Sequence, residues 1–201
     1  VNMGQSTNDV LPSAMLLTTH SLILEVVKAV DVLAEAVAER AEAFKDVVKL
    51  GRTCLQDAMP VTVGQELTGW HSFLLRHRQL LLYRADVCLE LPLGGTAVGT
   101  GVGAMPGYVD AVYPHLKTLT GYNVKPAANF FDAMQFADEY VHVSATLKSL
   151  AAGVSKMASD LRILSSGPRG GFGELRLPAV LPGSSIMPGK MNPILPELMI
   201  E

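Results

Sequence analysis

Apolar residues recur along this chain at helical rather than alternating spacing, and polar, glycine-flanked segments interrupt them at a few places. From Asp9 to Lys49 there is no glycine. The only proline there, Pro12, falls at the start, where a missing amide proton costs little, so the stretch predicts one long helix. Ser6, Thr7 and Asn8 stand ahead of it with side-chain oxygens for the unpaired first-turn amides. Gly51 closes it after Lys45 and Lys49 have placed positive charge near its end. Leu16, Leu17, Leu22, Ile23, Leu24, Val26 and Val27 occupy most faces of the first half, which predicts burial on several sides; Glu35, Glu39, Arg40 and Glu42 predict a partly solvated second half.

An irregular segment, GRTCLQDAMPVTVG, leads to a second predicted helix from Val61 to Leu91, ended by Pro92. LGGTAVGTGVGAMPG holds too many glycines for regular structure. A third helix is predicted over Tyr108 to Thr120, a turn over Gly121 to Asn129, and a long helix over Phe130 to Ser165. The last carries Val143, Leu147, Leu150, Val154, Met157 and Leu161 near the helical period. A glycine-rich loop covers residues 167–192, and Pro193 restarts a helix. With no internal repeat, no low-complexity tract and no alternating strand, the expected fold class is all-α.

Composition narrows the function. A chain of 201 residues that is 49% hydrophobic supports one sizeable core or a share of a larger one. Its richness in Ala, Val, Leu and Met, with 6% aromatic residues, fits a helical bundle whose surface is shared between helices or subunits. A charged fraction of 17% and a net charge of -3 give no footprint for nucleic acid or an anionic membrane, so an anionic small substrate needs a local cationic site. Cys54 and Cys88 make neither a metal-ligand pair nor a disulfide framework, which fits a reducing compartment. No apolar run reaches membrane-spanning length, and Val1 opens on a polar segment rather than a leader, so the expectation is a cytoplasmic protein. The chain opens without methionine on VNMGQSTND and stops at Glu201 inside a predicted helix. Residues 1–201 therefore read as one central helical-bundle domain of a longer chain.

Three polar segments at helix ends hold the candidate chemistry: GQSTND at 4–9, GRTCLQD at 51–57 and GSSIMPGKMNP at 183–193. Helix starts present unpaired amides and positive partial charge suited to carboxylates. Ser6, Thr7, Asn8, Arg52, Thr53, Ser184, Ser185, Lys190 and Asn192 together suit a dicarboxylate and its charge-delocalised carbanion. Alone, GQSTND is what ordinary capping provides, and GRTCLQD reads as a helix-to-helix turn in which Arg52 bridges to a carboxylate and Gln56 or Asp57 caps the next helix. GSSIMPGKMNP is different. Its two hydroxyls, Ile-Met pair, Pro-Gly hinge and Lys-x-Asn suit a mobile loop carrying reactive groups.

That segment resembles the signature loop of the aspartase/fumarase superfamily, GSSxMPxKxNP, at every defining position. QSTND and GRTCLQDAMPVTVGQE resemble the two other shared blocks in the right order, and GGTAVGTG and SSGPRGGFGE are similar to further family segments. The resemblance implies a homotetramer of long helices whose active sites are each assembled from three chains, acting on a small C4 dicarboxylate, with no metal or nucleotide cofactor. It implies Ser184 as the general base on a loop that closes over substrate, and Ser185, Lys190 and Asn192 as carboxylate binders. Ser6, Thr7, Asn8 and Thr53 would hold substrate and stabilise the aci-carboxylate dianion. Glu197 matches an acidic position after the signature, in a supporting role, or is a first-turn glutamate favoured by the helix dipole.

Cys54 occupies a substrate-site position where fumarases of this type usually carry histidine, which favours aspartate ammonia-lyase over fumarate hydration. Asn129, Phe131 and Asp132 in ANFFDAM look more like the fumarase version. Elimination of ammonia from L-aspartate is the first expectation, reversible hydration of fumarate the second, and a catalytically inactive structural relative the third. His20, His71, His77, His115 and His142 lie outside these blocks and are expected mostly to be structural or solvated.

Overall fold

The computed structural model describes residues 3–201; the reading of Val1 in a polar opening lies outside them. The elements, in chain order, are α1 (Thr7–Ala43), β1 (Val48–Thr53), β2 (Gln56–Thr62), α2 (Val63–Val87), β3 (Glu90–Leu91), α3 (Tyr108–Thr120), β4 (Lys125–Pro126), α4 (Phe130–Gln135), α5 (Asp138–Leu164) and α6 (Ile194–Ile200). Helix dominates, as the apolar spacing predicts. The departures are local. Helix α1 stops at Ala43, six residues short of Lys49, and Pro12 lies in its second turn rather than its first. The expected single helix over 130–165 is interrupted at Phe136, whose backbone is extended, so that α4 and α5 are separate.

The expected irregular segment after α1 is an antiparallel hairpin, β1 pairing with β2 from Val48↔Thr62 to Thr53↔Gln56. Its two-residue tip, Cys54-Leu55, has positive φ at both positions, 53° and 62°. Such turns match the right-handed twist of paired strands and normally carry Asn or Gly. Residues 57 and 56 therefore sit on a strand, and α2 is capped instead by Thr62 and Gln65. Thr62 Oγ1 accepts from the Gln65 amide at 3.1 Å, and Gln65 Oε1 accepts from the Thr62 amide at 2.9 Å. A second, minimal sheet pairs β3 with β4 in parallel.

The chain divides into two compact units. The first comprises residues through Leu33 with Leu75–Leu147, the second Ala34–Leu74 with Lys148–Glu201. In the first, Ile23, Val27 and Val30 of α1 are buried, as are Leu81 and Ala85 of α2, Leu91, Leu93, Tyr113 and Val124. His20 is buried there too. Its Nδ1 lies 2.7 Å from the Ala85 carbonyl and its ring meets Tyr122 edge-on, which gives it a packing role. In the second unit Leu74, Leu150, Met157 and Ala158 form the core. There α5 approaches α2 at Gly153, where a β-carbon would fall 1.9 Å from the Phe73 ring. Among the described residues, no helix is long and apolar enough to cross a membrane.

Candidate functional site

In the first unit the site residues cluster at the start of α1. Ser6 is the N-cap, its Oγ accepting from the Asn8 amide at 3.2 Å. Asp9 completes a capping box by accepting from the Ser6 amide at 2.8 Å. Its other oxygen accepts from the amides of Gly94 at 3.1 Å and Thr96 at 2.9 Å, and the residue is fully buried. Asn8 donates to the Ala97 carbonyl at 2.8 Å. The QSTND segment is thus tied to the GGTAVGTG loop through both Asn8 and Asp9.

Two features mark that loop as specified rather than incidental. Thr96 has φ 58°, a left-handed conformation costing a non-glycine residue roughly 1–2 kcal/mol. It is also 4% exposed, with its hydroxyl lacking a hydrogen-bond partner. Thr7 and Asn8 are exposed. The segment therefore does more than cap, since capping alone uses only Ser6 and one oxygen of Asp9.

The second unit holds the remaining candidates. Thr53 ends β1 and Cys54 begins the hairpin tip, both exposed. The hairpin is fixed by charge: Lys49 Nζ lies 2.7 Å from Glu66 Oε2 and 3.2 Å from Glu174 Oε2, and Arg52 pairs with Glu174. The Arg52 guanidinium also lies over the Phe172 ring, 4.3 Å from its centroid. The hydrogen bond from Arg52 holds the Glu174 carboxyl below the usual glutamate range, against an opposing effect of burial. The expected Arg52-to-carboxylate bridge is present, and its partner is in the SSGPRGGFGE segment. Lys49, expected as positive charge near the end of the first helix, instead lies on β1 and pairs with Glu66 and Glu174; Glu174 was not singled out from sequence, and its position in that segment was the available signal.

The 183–190 loop is pinched at its base. Pro182 bridges to Met191, the Gly183 amide donates to the Lys190 carbonyl at 3.0 Å, and Asn192 Nδ2 donates to the Gly183 carbonyl at 3.3 Å. No side chain fits at 183, because a β-carbon would meet the Lys190 carbonyl oxygen at 2.6 Å and Asn192 Oδ1 at 2.9 Å. Ser184 Oγ accepts from the amides of Ile186 at 3.3 Å and Met187 at 3.2 Å. These two donors face an oxygen that would become negative on losing its proton. Ser185 and Lys190 are exposed. Lys190 and Glu197 line one cavity of 650 Å³ with Arg162 and Ser166, and Lys190 and Asn192 line another of 780 Å³ beside Gly167, Pro168 and Arg176.

The candidates therefore fall into three groups: Ser6, Thr7 and Asn8 in the first unit, and Thr53 with Cys54, then Ser184, Ser185, Lys190, Asn192 and Glu197, in the second. No hydrogen bond or ion pair among the described residues joins Thr53 or Cys54 to the 183–192 loop. No cluster of three His, Cys, Asp or Glu side chains able to hold a metal occurs among the described residues.

Comparison with known proteins adds a lineage to this geometry. The profile of a family described as Lyase matches residues 1–201. The chain is 45% identical over 200 residues to a class II fumarate hydratase of Halalkalibacterium halodurans, covering 99% of this chain and 43% of that protein. It is 43% identical over 199 residues to an aspartate ammonia-lyase of Bacillus subtilis, covering 99% of this chain and 42% of that one. Among solved structures, a fumarate lyase:delta crystallin of Brucella melitensis, crystallised bound to cobalt, superposes with a TM-score of 0.95 at 43% identity, again over 99% of this chain and 43% of the other. The chain thus spans less than half the length of the relatives it matches.

Proposed function

This chain belongs to the lyase family just described, and on that premise we propose that it is the central helical-bundle part of an enzyme converting L-aspartate to fumarate and ammonia. The observation that carries the reading is the pinched 183–192 loop. It holds Ser184, with two backbone amides aimed at its Oγ, and Lys190 and Asn192 on one short stretch of chain.

A proton next to a carboxylate is barely acidic, and its removal puts a second negative charge on that carboxylate. Donors must be in place before the charge forms. Ser184, as alkoxide, takes that proton; the electron pair forms the aci-carboxylate dianion, then the carbon-carbon double bond, as the carbon-nitrogen bond breaks and ammonia leaves. Lys190, Asn192 and Ser185 hold substrate carboxylate, while Ser6, Thr7, Asn8 and Thr53 bind substrate and the dianion. Cys54 lies beside the leaving group and Glu197 orients its neighbours. A serine serves as base only when amides and positive charge favour its alkoxide; the Ile186 and Met187 amides supply the first, and in this reading Lys190 supplies the second once the site is assembled. The chemistry needs no metal or nucleotide.

In this reading the site is completed between subunits of a cytoplasmic homotetramer. Uncovered apolar side chains on the long helices support that, among them Leu22 at 55%, Val32 at 69% and Val141 at 66% exposure. Reversible hydration of fumarate is the second reading, favoured by ANFFDAM, where Asn129 Oδ1 caps α4 by accepting from Phe131 and Asp132. Fumarate absorbance followed with the complete gene product, on L-aspartate and separately on L-malate, tests both. Fumarate from aspartate alone is expected. Fumarate from malate alone transfers the assignment to a hydratase, and silence in both removes these two substrates in favour of another or an inactive scaffold.

A further inference from the structure

The buried carboxylate of Asp9 caps α1 and reaches the 94–97 loop but has no part in the chemistry proposed above, and its surroundings are unusual for a charge. It is fully buried, and its hydrogen bonds come from three backbone amides: Ser6, three residues before it, and Gly94 and Thr96, more than eighty positions away. No ion pair joins it to a cation among the described residues. A buried carboxylate with amide donors only is tolerated when those donors are fixed and aimed at it, and removing any of them is costly. Capping α1 requires one of its oxygens. The other is spent on the Gly94–Thr96 backbone, including a threonine held in the left-handed region.

We propose that Asp9 is a positioning residue, a brace that locks the start of α1 to the 94–97 loop and so presets the hydroxyl and amide groups of Ser6, Thr7 and Asn8. The second strut is Asn8 itself, whose Nδ2 is engaged by the Ala97 carbonyl. With Ser6 tied through its amide and Asn8 through its side chain, the groups at this helix start have little freedom, as a site that must stabilise a developing charge requires. The inference rests on the reading that these residues face substrate.

The test uses the complete protein carrying Asp9→Asn, Asp9→Glu and, as a control, Asn8→Ala. An asparagine offers one oxygen and one NH2 group, so it serves either the Ser6 amide or the loop amides and sets a donor against the other. Glutamate keeps both oxygens on a longer stem. Asp9→Asn is expected to lower kcat per folded molecule by about 100-fold, with a smaller change in KM, and Asp9→Glu to recover at least about tenfold of that loss. A loss of activity that only tracks the loss of folded protein, with kcat per folded molecule unchanged, overturns the brace. Asn8→Ala separates the two ideas. If it leaves kcat/KM normal, the reading that the start of α1 meets substrate is what fails. If it lowers kcat/KM while Asp9→Asn does not, the brace alone fails. Should Asp9→Asn not fold, amide hydrogen exchange in the wild-type protein decides: the Ser6, Gly94 and Thr96 amides are expected to share one protection factor, and freely exchanging Gly94 and Thr96 amides overturn the proposal.

Discussion

The start of α1 and the 183–192 loop carry similar side chains, hydroxyls and an amide beside glycine, yet they are held in opposite ways. At the start of α1 a buried carboxylate reaches across 85 and 87 sequence positions to hold two amides. Among the described residues the hydrogen bonds of the loop are local, none spanning more than nine positions, and Ile186 is 83% exposed with Met187 at 49%. Long-range bonds to a buried charge make a platform whose loosening costs several groups at once. Local bonds close a loop on itself without a long-range tie such as Asp9 makes, and they leave an apolar tip in water. Such a loop changes conformation at the expense of a few exposed bonds, which suits a group that must close over substrate.

Ser184→Ala breaks this comparison most sharply. Its Oγ accepts two amides that remain reachable by water when it is gone, so stability should be unaffected. In the complete protein, turnover should fall by about 1,000-fold or more, since a base is lost outright, with the thermal midpoint unchanged within about 2 °C. Steady-state rates and thermal unfolding read the two effects. Near-normal turnover would remove Ser184 from the base role, and a large fall in midpoint would show that the loop is part of the fixed scaffold.

Glu174→Gln probes the fixed part of the second unit with a smaller effect. Arg52 and Lys49 converge on Glu174, which is 18% exposed, so replacing it leaves Arg52 without its acid and should destabilise by about 1–2 kcal/mol. The pH dependence carries the sign. The folded-state value of Glu174 lies below the ordinary 4.5, chiefly through the Arg52 hydrogen bond, so its contribution is complete above that value and is lost as pH falls through the lower folded one. Chemical denaturation of wild type between neutral and acidic pH should show this loss, and Glu174→Gln should flatten that part of the curve.

The helices were legible because apolar spacing and the absence of glycine and proline dominate long stretches; α3 falls on the expected Tyr108 to Thr120. The hairpin was not legible. VKLGRT and QDAMPVT lack clean alternation, and the turn joining them is Cys54-Leu55, two residues that give no sign of the positive φ they adopt. The break between α4 and α5 likewise has no glycine or proline to announce it. In the candidate site the motifs named the chemical groups, whereas what holds them came only with the structure. An aspartate three residues after a serine reads as a cap, and nothing in that spacing reports that its second oxygen meets Gly94 and Thr96. The Glu174 pairing with Arg52 has the same origin, a contact between segments more than a hundred residues apart.

The two cysteines give the mildest test, and they sample a held and an open region directly. Cys88 is completely buried in the first unit, and burial pushes its thiol up to about 11, so at pH 8 it is both inaccessible and protonated. Cys54 is exposed at the hairpin tip. A thiol-reactive chromophore added to the complete protein should therefore label Cys54 quickly and leave Cys88 untouched until denaturant is added. If Thr53 and Cys54 face substrate, saturating fumarate should slow the labelling several-fold without changing its final extent. Labelling that ignores fumarate would leave the 183–192 loop and the start of α1 as the substrate-facing groups and reduce the hairpin tip to scaffold. Rapid labelling of Cys88 instead would show that the first unit opens far more readily than its buried bonds imply, and the contrast between the two regions would collapse.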